Sequence, residues 1–255
     1  MHPTDELATI LKKLRLSGVL QTLELRQAQA AQDDLSNAEF LYRLLHDEVE
    51  RRDGKQLEIR LRRAMFEHAK TLEDFQFQFN PKVPKAKILD LASCAFVEKH
   101  ENVALIGPAG VGKSHISQAL GHRACRAGFQ AYYTPAQRLF AELRAARADG
   151  SFERRLLRFT TPDLLIVDDL GLTPLGRDEP VVLYEIIRQR YERGSLIMTS
   201  NRDVDEWYPL FQDDLLASAS LDRFLHHAHV ILMEGKSFRA PRPTQEATER
   251  KAATA

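Results

Sequence analysis

The stretch GPAGVGKS, at residues 107–114, limits what this chain can fold into more than any other stretch does. It fits the pattern G-x-x-x-x-G-K-[ST], in which glycines let the backbone wrap around a phosphate chain and direct its N–H groups inward. We expect Lys113 to meet the β and γ phosphates of ATP, and the Ser114 hydroxyl to be a ligand of Mg²⁺. The predicted phosphate loop consists of Gly107, Pro108, Ala109, Gly110, Val111, Gly112, Lys113 and Ser114.

The residues on either side supply the strand and helix that such a loop requires. Residues 102–106, NVALI, are an apolar run that predicts a short strand. Residues 115–126 carry Ile116, Leu120 and Ala124 at helical spacing. The context therefore favours a nucleotide-binding loop over a chance glycine-rich turn.

A second motif, DLLIVDD at residues 163–169, carries two adjacent acids. Its continuous apolar run, Leu164 to Val167, is typical of a strand buried on both faces of a parallel sheet. Asp168 and Asp169 close the run at its carboxyl end, where such sheets bind ligands. Two buried carboxylates need a cation, so we predict that Asp168 is a Mg²⁺ ligand and that Asp169 positions the attacking water.

Two later residues extend the predicted site. Asn201 follows the apolar run 195–200 and is placed to hydrogen-bond the γ-phosphate or the attacking water, although a lone Asn also forms turns. Arg223 is a candidate arginine finger for the γ-phosphate of a neighbouring subunit. Its alternative is an ion pair with Asp222 or Asp213 within the same chain.

The histidines near the last predicted strand, His226, His227 and His229, raise the question of a metal site. No Cys or carboxylate accompanies them at ligand spacing in the sequence. We therefore expect a structural or DNA-facing role for this cluster.

Composition excludes several classes of protein. The 36 basic and 36 acidic residues give a net charge of zero, so charge has to be examined locally. Two cysteines form neither a disulfide framework nor a zinc pattern, which predicts a cytoplasmic protein. The chain starts without a basic-then-apolar leader and has no apolar run of roughly 18 residues, so we expect no membrane partner.

Two basic stretches are candidate contacts for duplex DNA. Residues 51–63 hold six basic and two acidic residues, and residues 138–158 hold six and three. The alternative for both stretches is a solvated helix face with internal ion pairs. The candidate DNA-binding residues are Arg51, Arg52, Lys55, Arg60, Arg62, Arg63, Arg144, Arg147, Arg154 and Arg155.

The order of predicted elements indicates an α/β fold of the P-loop NTPase type, with a central parallel sheet flanked by helices. We expect a small all-helical module over residues 1–70, with a capping box at 36–39 and a further helix over 55–69. Residues 71–100 are a linker, helical from about 90 to 99, with apolar residues that wall the adenine pocket or plug the side of the sheet. Residues 101–239 form the ATPase domain, and residues 240–255 are a polar tail predicted to be disordered.

These motifs together resemble a known family. GPAGVGKS, LLIVDDLG, LIMTSN and LDRFLHHAHVILMEGKSFR, in this order, are similar to the IstB-like ATP-binding proteins, AAA+ partners of insertion-sequence transposases. The first three motifs are general to AAA+ proteins, whereas the last and TLEDFQFQFNP at residues 71–81 are more specific.

The resemblance implies an ATP-dependent DNA-binding protein that forms homo-oligomers on duplex DNA and recruits or stimulates a transposase. It assigns phosphate and Mg²⁺ binding to Lys113, Ser114 and Asp168, a sensor role to Asn201 and the finger to Arg223. Two alternatives stay open: a DnaC-type helicase loader, and a nucleotide-gated DNA-binding scaffold with negligible hydrolysis.

The chain departs from many AAA+ proteins in two places. Asp169 stands where a longer Glu is common, so we expect slow ATP hydrolysis. Because the last predicted strand lies close to the end of the sequence, we expect no helical lid, and Arg239 is a candidate substitute for the lid arginine.

Overall fold

The computed structural model describes residues 3–239, and within them a five-stranded parallel sheet is flanked by helices. The predicted tail at 240–255 lies outside the described residues. No helix in the described part is long and apolar enough to cross a membrane. The elements are α1 (Pro3–Lys13), α2 (Ser17–Gln32), α3 (Asn37–Arg63), α4 (Lys85–Leu91), α5 (Ala95–Glu98), β1 (Asn102–Ile106), α6 (Lys113–Arg126), β2 (Ala131–Pro135), α7 (Ala136–Ala148), α8 (Phe152–Thr160), β3 (Leu164–Leu170), α9 (Glu179–Arg190), β4 (Ser195–Ser200), a 3-10 helix (Val204–Phe211), α10 (Asp214–Leu225) and β5 (Ala228–Leu232).

The strand order explains why distant motifs share one site. The order is β2-β3-β4-β1-β5, and all neighbours are parallel. The strand before the phosphate loop therefore lies beside β4, and β4 lies beside the acidic strand β3. Because parallel strands end at the same edge of a sheet, the phosphate loop, the acids of β3 and the end of β4 meet there.

Two predicted helices are wrong in their extent. The helix predicted over 55–69 is the end of one long helix, α3, which starts at Asn37 and stops at Arg63. The helix predicted from about 90 to 99 is two short ones, α4 and α5. They are separated at Cys94, whose φ of 64° is incompatible with a continuous helix.

A buried arginine, which sequence reasoning missed, joins α8 to the starts of β3 and β4. Arg190 donates to the carbonyls of Phe159 at 3.0 Å, Asp163 at 3.0 Å and Ser195 at 2.6 Å. Burial lowers the pKa of Arg190 to about 10. The guanidinium stays charged at neutral pH and satisfies carbonyls at the ends of α8, β3 and β4.

The chain divides into two compact units, Met1–Ile59 and Arg60–Ala255. In the first unit a small core forms from Leu11, Val19, Leu23 and Leu44. Many other apolar residues of this unit are exposed, among them Ile10, Leu14, Leu41, Tyr42, Leu45 and Val49.

A buried carboxylate organises this first unit. Glu48 accepts hydrogen bonds from the backbone N–H groups of Gly18 and Val19 at the start of α2. It also pairs with Arg52 at 2.7 Å and Arg51 at 3.2 Å. Burial alone would raise the pKa of Glu48, but Arg52, Arg51 and Gly18 outweigh burial and hold the pKa at about 2.

We expect Glu48→Gln to destabilise the first unit at neutral pH by about 2–3 kcal/mol, the size of a lost hydrogen-bonded charge. A depressed carboxyl pKa adds stability above the unfolded value near 4.5, and this stability is lost as pH falls towards about 2. Thermal unfolding followed by helical circular dichroism between pH 7 and pH 2 measures both effects. The control is Glu50→Gln, an exposed acid on the same helix; equal losses in the two variants at every pH would contradict this role.

Candidate nucleotide-binding site

The phosphate loop has the conformation that its glycines predict. Gly107 has φ 153°, and a Cβ there would overlap the carbonyl of Met233. Gly112 has φ 104° and precedes α6, and a Cβ there would lie 2.5 Å from the Phe75 ring. Both positions require glycine, so the loop is closely packed as well as tightly turned.

The Lys113 ammonium lies inside this loop and holds it to β4. Its Nζ donates to the carbonyls of Gly107 at 2.7 Å and Pro108 at 3.0 Å, and to Oδ1 of Asn201. Burial lowers the pKa of Lys113, while the charges of Asp169 and Asp168 act in the opposite direction. The structure thus brings together Lys113 and Asn201, which are 88 residues apart in the sequence.

The Asp168 carboxylate is buried, and two hydroxyl groups donate to it. The phenol of Tyr133 on β2 donates to Oδ2 at 2.7 Å, and the hydroxyl of Thr199 on β4 donates to Oδ1. Sequence reasoning missed both donors. The signal available was a polar side chain near the carboxyl end of each strand that flanks β3.

Asp169 is half-buried and has a left-handed backbone, with φ 56°. Asp is one of the few side chains that tolerate this conformation. Burial raises the pKa of Asp169 and the adjacent Asp168 charge adds to the rise, whereas Lys113 and Arg239 oppose it. Two acids therefore stand side by side at the edge of the sheet, with cations on the facing segments.

The donor set fits a magnesium nucleotide. Mg²⁺ prefers oxygen ligands, which Ser114 and Asp168 can supply from a hydroxyl and a carboxylate. The loop N–H groups and Lys113 suit an anion. Ser114 and Asp168 could hold the ion, and Lys113 could meet the phosphates once it exchanges its present carbonyl partners.

Arg223 makes neither of the ion pairs considered from the sequence. Its guanidinium donates to the carbonyl of Ala219 at 2.7 Å and lies 5.8 Å from the centre of the Tyr184 ring. Among the described residues, no salt bridge joins it to Asp213 or Asp222. Its charge is therefore not neutralised by either of the two predicted carboxylates.

A segment after β5 covers the phosphate loop, and we call residues 234–239 the strap. The buried Asn80 side chain donates to the carbonyl of Lys236 and accepts from its N–H, both at 2.8 Å. The backbone N–H of Phe238 donates to the carbonyl of Gly110 at 2.9 Å. Phe238 packs on Phe75 of the predicted linker, with ring centres 5.4 Å apart. The aromatic linker thus reaches the phosphate loop, a placement that sequence reasoning did not foresee.

The fold brings a carboxylate to the histidine cluster. Glu192, at the end of α9, lies beside His226 and His227, with ligand atoms within 4.8 Å of one another. No carboxylate lies at ligand spacing from these histidines in the sequence, but the expectation is wrong for the folded chain, because the fold places Glu192 beside two of them. All three side chains are exposed, and Tyr191 holds the Nδ1 atom of His226 at 2.9 Å.

Most candidate DNA contacts already have partners within the protein. Arg51 and Arg52 pair with Glu48, and Arg60 donates to the carbonyl of Cys125. The second stretch pairs Arg144 with Glu179, Arg147 with Asp178 and Arg155 with Glu142. The remaining candidates, all exposed, are Lys55, Arg62, Arg63 and Arg154.

Comparison with known proteins assigns the family. The sequence pattern of the IstB-like ATP binding protein family matches residues 9–246. The chain belongs to this family. It is 42% identical over 237 residues to a protein of Mycobacterium tuberculosis named for ATP binding and an insertion sequence, and the match covers 91% of this chain and 93% of the relative. It is 38% identical over 234 residues to the ATP-binding protein named for insertion sequence IS21 of Pseudomonas aeruginosa, covering 92% and 88%.

Solved structures confirm the fold expected of an IstB-like protein. The crystal structure of the DnaC helicase loader is similar with a TM-score of 0.52 and 20% identity, covering 58% of this chain and 87% of that one. This likeness confirms the AAA+ P-loop architecture predicted from the sequence.

We expect Asp169→Asn to raise the melting temperature of the nucleotide-free protein by a few degrees. Asn tolerates the left-handed backbone of this position and removes a charge that burial and Asp168 disfavour. Differential scanning calorimetry at neutral pH measures the change. The control is Asp205→Asn, which removes an exposed acid outside the site. A lower melting temperature for Asp169→Asn than for the control would show that the carboxylate stabilises the empty site.

Proposed function

We propose that the protein is an ATPase that converts ATP and water to ADP and phosphate, slowly, and uses ATP to assemble on duplex DNA for transposition. The observation that carries the proposal is the meeting of Lys113, Asn201, Asp168 and Asp169 at one edge of the sheet. The insertion-sequence names of the relatives support the link to transposition.

Each site residue has a proposed role. Lys113 and the loop from Gly107 to Ser114 bind the phosphates of ATP, and Ser114 and Asp168 hold Mg²⁺. When bound, Mg²⁺ would neutralise charge that develops on the transferred phosphoryl group. Asp169 orients the attacking water, and its short side chain accounts for slow hydrolysis. Asn201, which accepts a hydrogen bond from Lys113 in this structure, would turn to the γ-phosphate or the attacking water when ATP binds.

DNA contact is proposed for the exposed basic residues rather than for the paired ones. Lys55, Arg62, Arg63 and Arg154 have exposed side chains and can approach phosphates directly. Arg51, Arg52, Arg60, Arg144, Arg147 and Arg155 would first have to exchange partners within the protein. Because only four of the ten candidates lack a partner among the described residues, we expect tight binding to require several chains on one DNA.

Assembly and transposase contact also have support in the first unit. Five apolar side chains of this unit are each about half exposed to solvent: Ile10, Leu14, Leu41, Leu45 and Val49. A large exposed apolar surface often marks a site of protein–protein contact. We propose that these apolar side chains are covered by another copy or by the transposase. Arg223 would reach the γ-phosphate of the neighbouring copy.

Two alternatives make different predictions. A DnaC-type helicase loader would bind a replicative helicase in a pull-down and ignore a transposase. A nucleotide-gated scaffold would release phosphate at the same near-zero rate in the wild type and in Asp169→Ala. The similarity to the DnaC helicase loader is a likeness of fold, whereas the insertion-sequence relatives match nearly the whole chain.

We expect ATP and Mg²⁺ to drive the wild-type protein into large complexes on duplex DNA, and Lys113→Ala to abolish them. Light scattering coupled to size exclusion, with a duplex of arbitrary sequence, measures the assembly. Each phosphate contact steepens the salt dependence, so the complexes should dissolve as salt rises from 50 to 200 mM. Strong binding of one particular sequence by a single nucleotide-free chain would contradict the proposal.

We expect Arg223→Ala and Lys113→Ala to be inactive alone and to recover ATPase activity when mixed. In a mixed assembly, an intact nucleotide site of one chain can meet the intact Arg223 of its neighbour. Phosphate release at a fixed total protein concentration measures the recovery. The control mixture contains Arg177→Ala in place of Arg223→Ala, because the Arg177→Ala variant should keep its own ATPase activity. No recovery at any mixing ratio, with both variants still assembling, would show that Arg223 does not act between subunits.

A further inference from the structure

The predicted Mg²⁺ ligand Asp168 is held from both neighbouring strands. Tyr133 on β2 donates to one carboxylate oxygen at 2.7 Å, and Thr199 on β4 donates to the other. All three side chains are buried, with 3% of Tyr133, 3% of Asp168 and none of Thr199 exposed. Water therefore cannot replace either hydroxyl without rearrangement of the sheet edge.

Tyr133 is itself fixed by its surroundings. Its backbone N–H, on the outer edge of β2, donates to the carbonyl of Ala64 at 2.8 Å. Its ring lies against Phe66, with ring centres 6.4 Å apart. A phenol is protonated at neutral pH, so the Tyr133 hydroxyl is a permanent donor aimed at one atom.

We propose that Tyr133 is a positioning residue that sets the orientation of the Asp168 carboxylate for Mg²⁺. The inference rests on the proposed function, because it takes Asp168 as a ligand of the magnesium nucleotide. Each carboxylate oxygen has a second lone-pair site, so the two hydroxyl donors leave room for a cation or its bound water. Tyr133 contributes no ligand atom and acts only through Asp168.

Thr199 has the same geometry but is a poorer test. Its hydroxyl also accepts the backbone N–H of Asp169 at 2.9 Å, so its removal would disturb both acids. Among the residues that the structure describes, the Tyr133 hydroxyl is hydrogen-bonded to Asp168 alone. Loss of a hydrogen-bonding partner behind a metal ligand typically weakens metal binding by about 10–100-fold.

The adjacent tyrosine supplies a matched control. Tyr132 is also buried on β2, but successive strand side chains face opposite sides of the sheet. Its ring packs on Phe159, with centres 5.7 Å apart, and beneath the guanidinium of Arg158. Tyr132→Phe and Tyr133→Phe therefore delete the same oxygen atom from the same strand, and only Tyr133→Phe affects Asp168.

The experiment measures binding of a fluorescent, non-hydrolysable ATP analogue to the full chain as Mg²⁺ is titrated. In EDTA, we expect Tyr133→Phe to bind the analogue as tightly as the wild type does. When Mg²⁺ is added, Tyr133→Phe should need a concentration about tenfold higher than the wild type to reach half of the increase in affinity that Mg²⁺ causes. Tyr132→Phe should follow the wild type throughout. Phosphate release by Tyr133→Phe should recover at high Mg²⁺, which a general folding defect would not allow.

Three results would overturn the inference, and they separate it from the proposed function. Equal Mg²⁺ requirements in wild type and Tyr133→Phe would show that Tyr133 does not position Asp168. Equal shifts in both tyrosine variants would indicate general loss of packing in β2. If Mg²⁺ leaves nucleotide binding by the wild type unchanged, the assignment of Asp168 as a metal ligand fails as well.

Discussion

The nucleotide site depends on one buried ammonium group. Nζ of Lys113 donates to two carbonyls of the phosphate loop and to Asn201 at the end of β4. An unpaired buried cation would be costly, and the loop itself and the neighbouring strand supply its oxygen partners. Phosphate oxygens are stronger acceptors for an ammonium than neutral carbonyls are. Entry of ATP would therefore exchange these partners and release Asn201.

Two buried carboxylates, Glu48 and Asp168, have contrasting electrostatic surroundings. Glu48 is surrounded by Arg51, Arg52 and backbone N–H groups, so its charge stabilises the first unit. Asp168 accepts hydrogen bonds from two hydroxyl groups, and the half-buried Asp169 is at its side. At this sheet edge the two acids disfavour each other's charge, and Lys113 and Arg239 offset that only in part, a common compromise between stability and function.

The sequence predicted the parts of the site that local pattern determines. The glycine spacing indicated the phosphate loop, and the apolar runs indicated β1 and β3, because each signal lies within a few residues. Sequence reasoning missed Tyr133, Thr199 and Asn80. Each of them contacts a residue on a neighbouring strand or in a distant part of the chain, and no local sequence pattern specifies which segments become neighbours. The helix boundaries at Arg63 and Cys94 were missed because they depend on tertiary contacts and on one left-handed residue.

The paired arginines show a second limit of sequence reasoning. Counting charges between residues 138 and 158 gave a basic surface, but Glu142, Glu179 and Asp178 neutralise three of the candidates in space. Two of these acids lie outside the counted stretch, on the loop before α9 and at its start. Local net charge therefore overestimated the cations that are free to meet DNA.

The most direct test is a high-resolution structure of the full chain with Mg²⁺ and a non-hydrolysable ATP analogue. The account predicts that Lys113 leaves the carbonyls of Gly107 and Pro108 for the phosphates, that Ser114 and Asp168 surround the ion, and that Tyr133 still donates to Asp168. A nucleotide bound elsewhere, or one bound while Lys113 keeps all its present partners, would contradict it.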